Sequence, residues 1–167
     1  MSAQQRGIRD GIAVGLIAYA AVAAFYALFD FLAARGVLYT VNLLGLAAFR
    51  GVRDPGVSML PIPLDGTAIF WYNALHFVAS LAIGLFVTRL VDQAETHPAQ
   101  RTAILFVIVA GFVVTVFAVG VLSAPIRPVL PWWSIVVANA AATALAGWYL
   151  FRRRPGLLGR LLPSAGG

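Results

Sequence analysis

The chain has 167 residues, of which 61% are hydrophobic and 11% charged, with a mean hydropathy of +0.89. A soluble domain is about 45–50% apolar and about 25% charged, so composition excludes an ordinary water-soluble globule and makes the bilayer the expected solvent. Cysteine is absent, which excludes disulfides, thiolate metal sites and cysteine nucleophiles, and the net charge of +6 comes from twelve arginines, no lysine and six acids.

Those arginines stand singly or in a run of three at the ends of apolar stretches. That distribution orients membrane helices, and it argues against a nucleic-acid partner.

A spanning helix needs about 20 mostly apolar residues. The first such stretch is Gly11–Ala34. Arg6 and Arg9 precede it, as in a signal peptide, but a cleavable apolar region is only about 7–15 residues long. It is therefore read as a retained helix. Gly11 and Gly15 open it with a small-xxx-small pair, which allows close helix approach. Tyr19, Ala23, Tyr26 and Asp30 share one of its faces. Asp30 is an ionisable group within or beside the membrane and is a functional candidate by default. Its plainer role is a pair with Arg35.

The link Arg35–Asp65 is the longest in the chain. Its first half, GVLYTVNLLGLAAFR, is apolar but too short to span. Val37, Val41, Leu44 and Ala48 recur at helical spacing, which predicts an interfacial or re-entrant helix. Pro55, Gly56, Pro61 and Pro63 break the second half into loop. Its apolar run Val57–Leu64 reads either as a contact for a partner or as a cover lying on the bundle or in lipid.

The second stretch is Gly66–Leu90. Asn73, His76, Ser80, Gly84 and Thr88 fall 3, 4, 4 and 4 residues apart and so form one polar and small stripe. Lipid satisfies neither an imidazole nor an amide, so this stripe is expected to face protein. The third stretch is Thr102–Leu122, with a short polar link before it that makes a hairpin. The fourth is Pro131–Phe151. Trp132, Val136, Asn139, Thr143 and Ala146 share one of its faces, and Ala138, Ala142 and Ala146 give it a small-residue stripe for packing. Counted from the outer ends at about 1.5 Å per residue, His76 and Asn139 lie about 15 and 12 Å deep. The spacing therefore predicts a hydrogen bond between them if the second and fourth helices touch. Tyr26 and Thr115 fall at similar depths, so the embedded polar groups gather in the outer half.

The fold class expected is an all-α integral membrane protein of four transmembrane helices in an up-down bundle. Residues 1–155 form one domain and 156–167 a cytoplasmic tail. Eight arginines on the side of the termini oppose four on the other, which places both termini in the cytoplasm. The layout is that of many small multi-pass proteins of the bacterial inner membrane.

Enzyme chemistry finds little support: there is no Ser-His-Asp spacing at plausible depth, no phosphate-cradling glycine loop and no acidic pair for magnesium. No cofactor is expected. The one residue that offers a site is His76, for haem or quinone. His97 lies about 30 Å away along the chain axis, so the two cannot ligate one iron within a monomer, and no second ligand stands near His76 for zinc. The leading expectation is a non-enzymatic accessory or scaffold subunit that binds other membrane proteins or copies of itself. The alternatives are a small oligomeric channel or transporter using Asp30, Tyr26, Asn73, His76, Asn139 and Thr143, and a cofactor-binding subunit built on His76.

Overall fold

The computed structural model describes residues 3–52, 62–157 and 159, and among these the regular structure is entirely helical. The helices are α1 (Ala3–Leu32), α2 (Tyr39–Phe49), α3 (Gly66–Thr96), α4 (Arg101–Leu122) and α5 (Trp132–Arg153). Single 3-10 turns at Pro98–Gln100 and Ala124–Ile126 lie at the two ends of α4. α1, α3, α4 and α5 are long and apolar enough to cross a membrane; α2 is apolar but shorter. The apolar loop run Val57–Leu64 lies mostly outside the described residues.

Local chemistry sets the boundaries. Asp65 caps α3 by accepting the Ala68 N–H at 2.9 Å. α1 ends where Ala34 takes a left-handed φ of 55°, and the Arg35 N–H returns to the Asp30 carbonyl at 3.0 Å. Pro131 stands at the N-cap of α5, and Arg152 and Arg153 occupy its last turn, where the helix dipole favours cations. Gly156, at φ 82°, then turns the chain back so that Leu157 is buried.

α1 is the helix on which both α3 and α5 pack, and it runs antiparallel to each. Gly11 meets Leu85, Gly15 meets Leu81, and Tyr19 meets Asn73 on α3. Tyr26 meets Ser134 and Asp10 meets Arg154 on the α5 side. Direct packing of α3 on α5 is slight, because α1 is interposed. α4 touches α3 and α5 more sparingly. The Trp132 ring lies over Gly120 at one end of α4, and Ile104 joins Val14, Val91, Ala94, Leu150 and Leu157 in an apolar cluster at the other. A second cluster of Tyr39, Leu43, Val116, Ile126, Leu130 and Ile135 fills the end that carries α2.

α1 and α3 approach backbone to backbone. A methyl group added at Gly84 would overlap the backbone of Gly11 and Gly15, and one added at Gly15 would overlap that of Ser80 and Leu81. Dispersion between backbones in contact is the main attraction available to helices in lipid.

α2 departs from its expected stripe. Val37 and Ala48 are exposed, while Tyr39, Thr40, Asn42, Leu43 and Gly45 are buried. The reason is polar. Thr40 is drawn to Asp30, and Asn42 bonds both the Pro63 carbonyl (3.1 Å) and the Asp65 N–H (2.9 Å). Gly45 then seats against the backbone of Ala68.

Candidate functional site

Three polar assemblies stand out, one above another along α1. The first is the junction of α1 and α2. Asp30 is fully buried, and its carboxylate accepts the Thr40 N–H and the Thr40 hydroxyl, each at 2.6 Å. Arg35 donates to it at 3.3 Å and to the Val129 carbonyl at 3.2 Å. Its guanidinium also lies over the rings of Phe29 and Tyr39, at 5.0 and 4.7 Å. Leu38, the N-cap of α2, contributes no capping side chain. Asp30 caps α2 from a neighbouring helix instead, with its negative charge at the positive end of the dipole.

The second assembly is a layer between α1 and α3. The Tyr19 hydroxyl donates to Asn73 Oδ1 at 3.1 Å, and the Asn73 amide donates to the Ile69 carbonyl at 2.9 Å. His76 lies between Tyr19 and Tyr72, with ring centroids 5.3 and 6.2 Å away. His76 Nε2 is buried and has no hydrogen-bond partner among the described residues. Toward α5, Ser134 Oγ donates to the Pro131 carbonyl at 2.7 Å, which leaves it to accept from Tyr26 at 3.4 Å.

The expected partner of the α3 stripe was α5, and this is corrected: the stripe faces α1. The Asn139 amide donates to the Ile135 carbonyl of its own helix, and Thr143, which is exposed, donates to the Asn139 carbonyl, each at 2.8 Å. No bond joins His76 to Asn139. The buried face of α5 is Ser134, Ile135, Ala138, Ala142 and Leu150, with Ala146 packed at the edge of the lower cluster. Tyr26, Asp30, Asn73 and His76 thus gather along the seams of α1, whereas Asn139 and Thr143 stay bonded to α5.

The third assembly lies at the end that carries the described termini, and reading the spans did not reveal it. Arg154 reaches Asp10 of α1 at 2.9 Å and Glu95 of α3 at 2.9 Å, and it pairs with Asp92 as well. Desolvation works to lower the pKa of Arg154, but its hydrogen bonds to Asp92 and Asp10 outweigh this and raise it above the ordinary arginine value. One guanidinium thereby ties three helices together. A cleft of about 870 Å³ opens beside this network. Arg6, Arg9, Arg89 and Arg153 line it along with Arg154 and its carboxylates. The triplet 152–154 was legible only as orienting charge. The missed signal was that Asp10, Asp92 and Glu95, half of the six acids, sit at the same end of the bundle as the triplet.

No group of three or more metal-ligating side chains occurs among the described residues. His97 is exposed, at the far end of α3 from His76, and bonds the Thr96 hydroxyl at 2.9 Å. Comparison with protein-family models, with curated proteins and with solved structures gives no match to this chain.

Proposed function

We propose that the chain is a non-enzymatic subunit of a membrane assembly, one that holds partner membrane proteins or further copies of itself side by side. In this reading the start of α1 and the end of α5 face the cytoplasm. Among the described residues Arg6, Arg9, Arg89, Arg101, Arg152, Arg153 and Arg154 lie on that side, against Arg35, Arg50 and Arg127 on the other.

The observation that carries the reading is how the interior is closed. α1 and α3 meet backbone to backbone at Gly11, Gly15 and Gly84, between the His76 layer and the Arg154 network. The polar side chains above that seam bond across or along helices: Asp30 to Thr40, Tyr19 to Asn73, Asn139 to its own backbone. These features favour a rigid body over a conduit. Outside, Phe106, Val109, Val113 and Phe117 make one exposed apolar face of α4, and exposed Ala140 and Ala144 leave α5 a small-residue face for a further helix.

Purification of the full chain in mild detergent, with light scattering and identification of co-purifying proteins, tests this. Stable self-association or a defined membrane partner is expected. A lone monomer carrying no other protein overturns it.

One observation favours a second reading, a haem- or quinone-binding subunit: the buried, unpartnered Nε2 of His76 beside Tyr19 and Tyr72. An absorption band or extractable quinone that is lost in His76→Ala would establish it. Transport through the same residues is disfavoured by the closed seam. Proteoliposome flux that disappears in Asp30→Asn and His76→Ala would reverse that ranking.

A further inference from the structure

The arginine-lined cleft is not used by the scaffold reading, and it has the chemistry of an anion site. Three helices supply its charge: Arg6 and Arg9 from the first turns of α1, Arg89 from α3 and Arg153 from the end of α5. The carboxylates in its wall offset only part of this charge: Asp10, Asp92 and Glu95 share Arg154, and five arginines against three acids leave the lining net positive. Arg6, Arg9 and Arg89 make no ion pair among the described residues. Their guanidiniums are therefore available to an incoming oxyanion, for which paired N–H donors are the matching geometry.

The volume of about 870 Å³ exceeds what one phosphate ion needs. A smaller groove of about 190 Å³ adjoins the cleft, sharing Gln4, Arg89 and Asp92 with it, and continues along the α1–α3 seam between Ile8 and Leu85. Both of those side chains are exposed and apolar. The arrangement is a charged chamber adjoined by a groove that has two apolar side chains, Ile8 and Leu85, in its wall. Basic pockets between helices on the cytoplasmic side suit anionic phospholipid headgroups.

We propose that this cleft binds the phosphate of an anionic phospholipid, with Arg6, Arg9, Arg89 and Arg153 around the headgroup and an acyl chain lying along Ile8 and Leu85. The shared chemistry is a phosphate oxyanion; the adjoining apolar groove makes the lipid its source. The inference rests on the membrane setting and not on the scaffold role.

Native mass spectrometry of the full detergent-solubilised chain tests it, with titrations of dioleoyl phosphatidylglycerol, tetraoleoyl cardiolipin and dioleoyl phosphatidylcholine. Retention of the two anionic lipids over the neutral one is expected. The double variant Arg6→Gln/Arg89→Gln should weaken that retention by about tenfold or more, since each arginine near a membrane surface adds to the attraction for anionic lipid. The double variant Arg101→Gln/Arg152→Gln removes the same charge outside the cleft and should bind as the parent does. It also separates a local site from overall charge. Equal retention of neutral and anionic lipid overturns the proposal, as does equal loss in both double variants. A third arm adds inorganic phosphate. Complete displacement of bound lipid by free phosphate would make the site one for a soluble anion and overturn the lipid assignment.

Discussion

At the scale of single residues, Asp30 has the clearest consequence. It satisfies the start of α2, the Thr40 hydroxyl and Arg35 at once, within a fully buried position. Removing one member of a buried pair strands the other, at a cost of about 3 kcal/mol. Asp30→Ala should lower unfolding stability in detergent by about that amount. Thr40→Val, which keeps the backbone N–H, should lose about 1 kcal/mol. Equal losses in the two variants would contradict the asymmetry. The Arg35 partner was readable from sequence, five residues away on the same helix end. Thr40 was not, because its role depends on how the chain folds back between two helices. Asp65 gives the pH dependence. Its hydrogen bond from Arg50, with that from the Ala68 N–H, holds its carboxyl below the ordinary aspartate value. A carboxylate lowered in this way supports the fold above its unfolded pKa, and that support fades as pH falls through the folded value. The stability gap between the parent chain and Asp65→Ala, followed by thermal melts, should therefore be full above the ordinary aspartate value and close as pH falls through the lower folded value into the acid range. A gap that persists undiminished into that acid range would refute the assignment.

At the scale of helices, hydrophobic length was legible and helix length was not. The apolar stretches located all four long helices, but α1 begins at Ala3 and α3 ends at Thr96, each well outside its apolar core. A bilayer core of about 30 Å requires only about 20 residues, and α3, with 31, projects beyond it. The extra turns are polar and carry Asp10, Asp92 and Glu95, the residues that the third assembly uses. The contact between α1 and α3 makes a sharp prediction. Gly84→Leu must push the two backbones apart, and overpacking of this kind costs about 3 kcal/mol. Gly111 of α4 has open space around its Cα, so Gly111→Leu should change stability by about 0.5 kcal/mol or less. Equilibrium unfolding of both variants in the same detergent checks this, and a similar loss in each would remove the close approach from the account.

At the scale of the molecule, the stripe on α3 disclosed that one face is turned to protein, but periodicity cannot name the neighbour. Depth alone paired His76 with Asn139. The structure places α1 between the two helices, with Gly11 and Gly15 of α1 seated against Gly84 of α3. Arg154 then fastens this arrangement at one end. Arg154→Ala removes the cation that Asp10, Asp92 and Glu95 share and should cost about 3 kcal/mol. Arg152→Ala, which removes a stacking contact with Trp148 and one exposed charge at the end of α5, should cost about 0.5–1 kcal/mol. Denaturant titrations that rank the two variants in the opposite order would show that the network is incidental.

The central place of α1 also has a kinetic meaning. α1 precedes both helices that dock on it, so during synthesis it must wait in the bilayer for them. Asp30 finds Arg35 five and Thr40 ten residues downstream and can be paired and hydrogen-bonded early, whereas Gly11 and Gly15 remain unmatched until α3 arrives. Chains released after residue 97 should already protect an α1–α3 pair from protease in a reconstituted insertion system, and chains released after residue 52 should not.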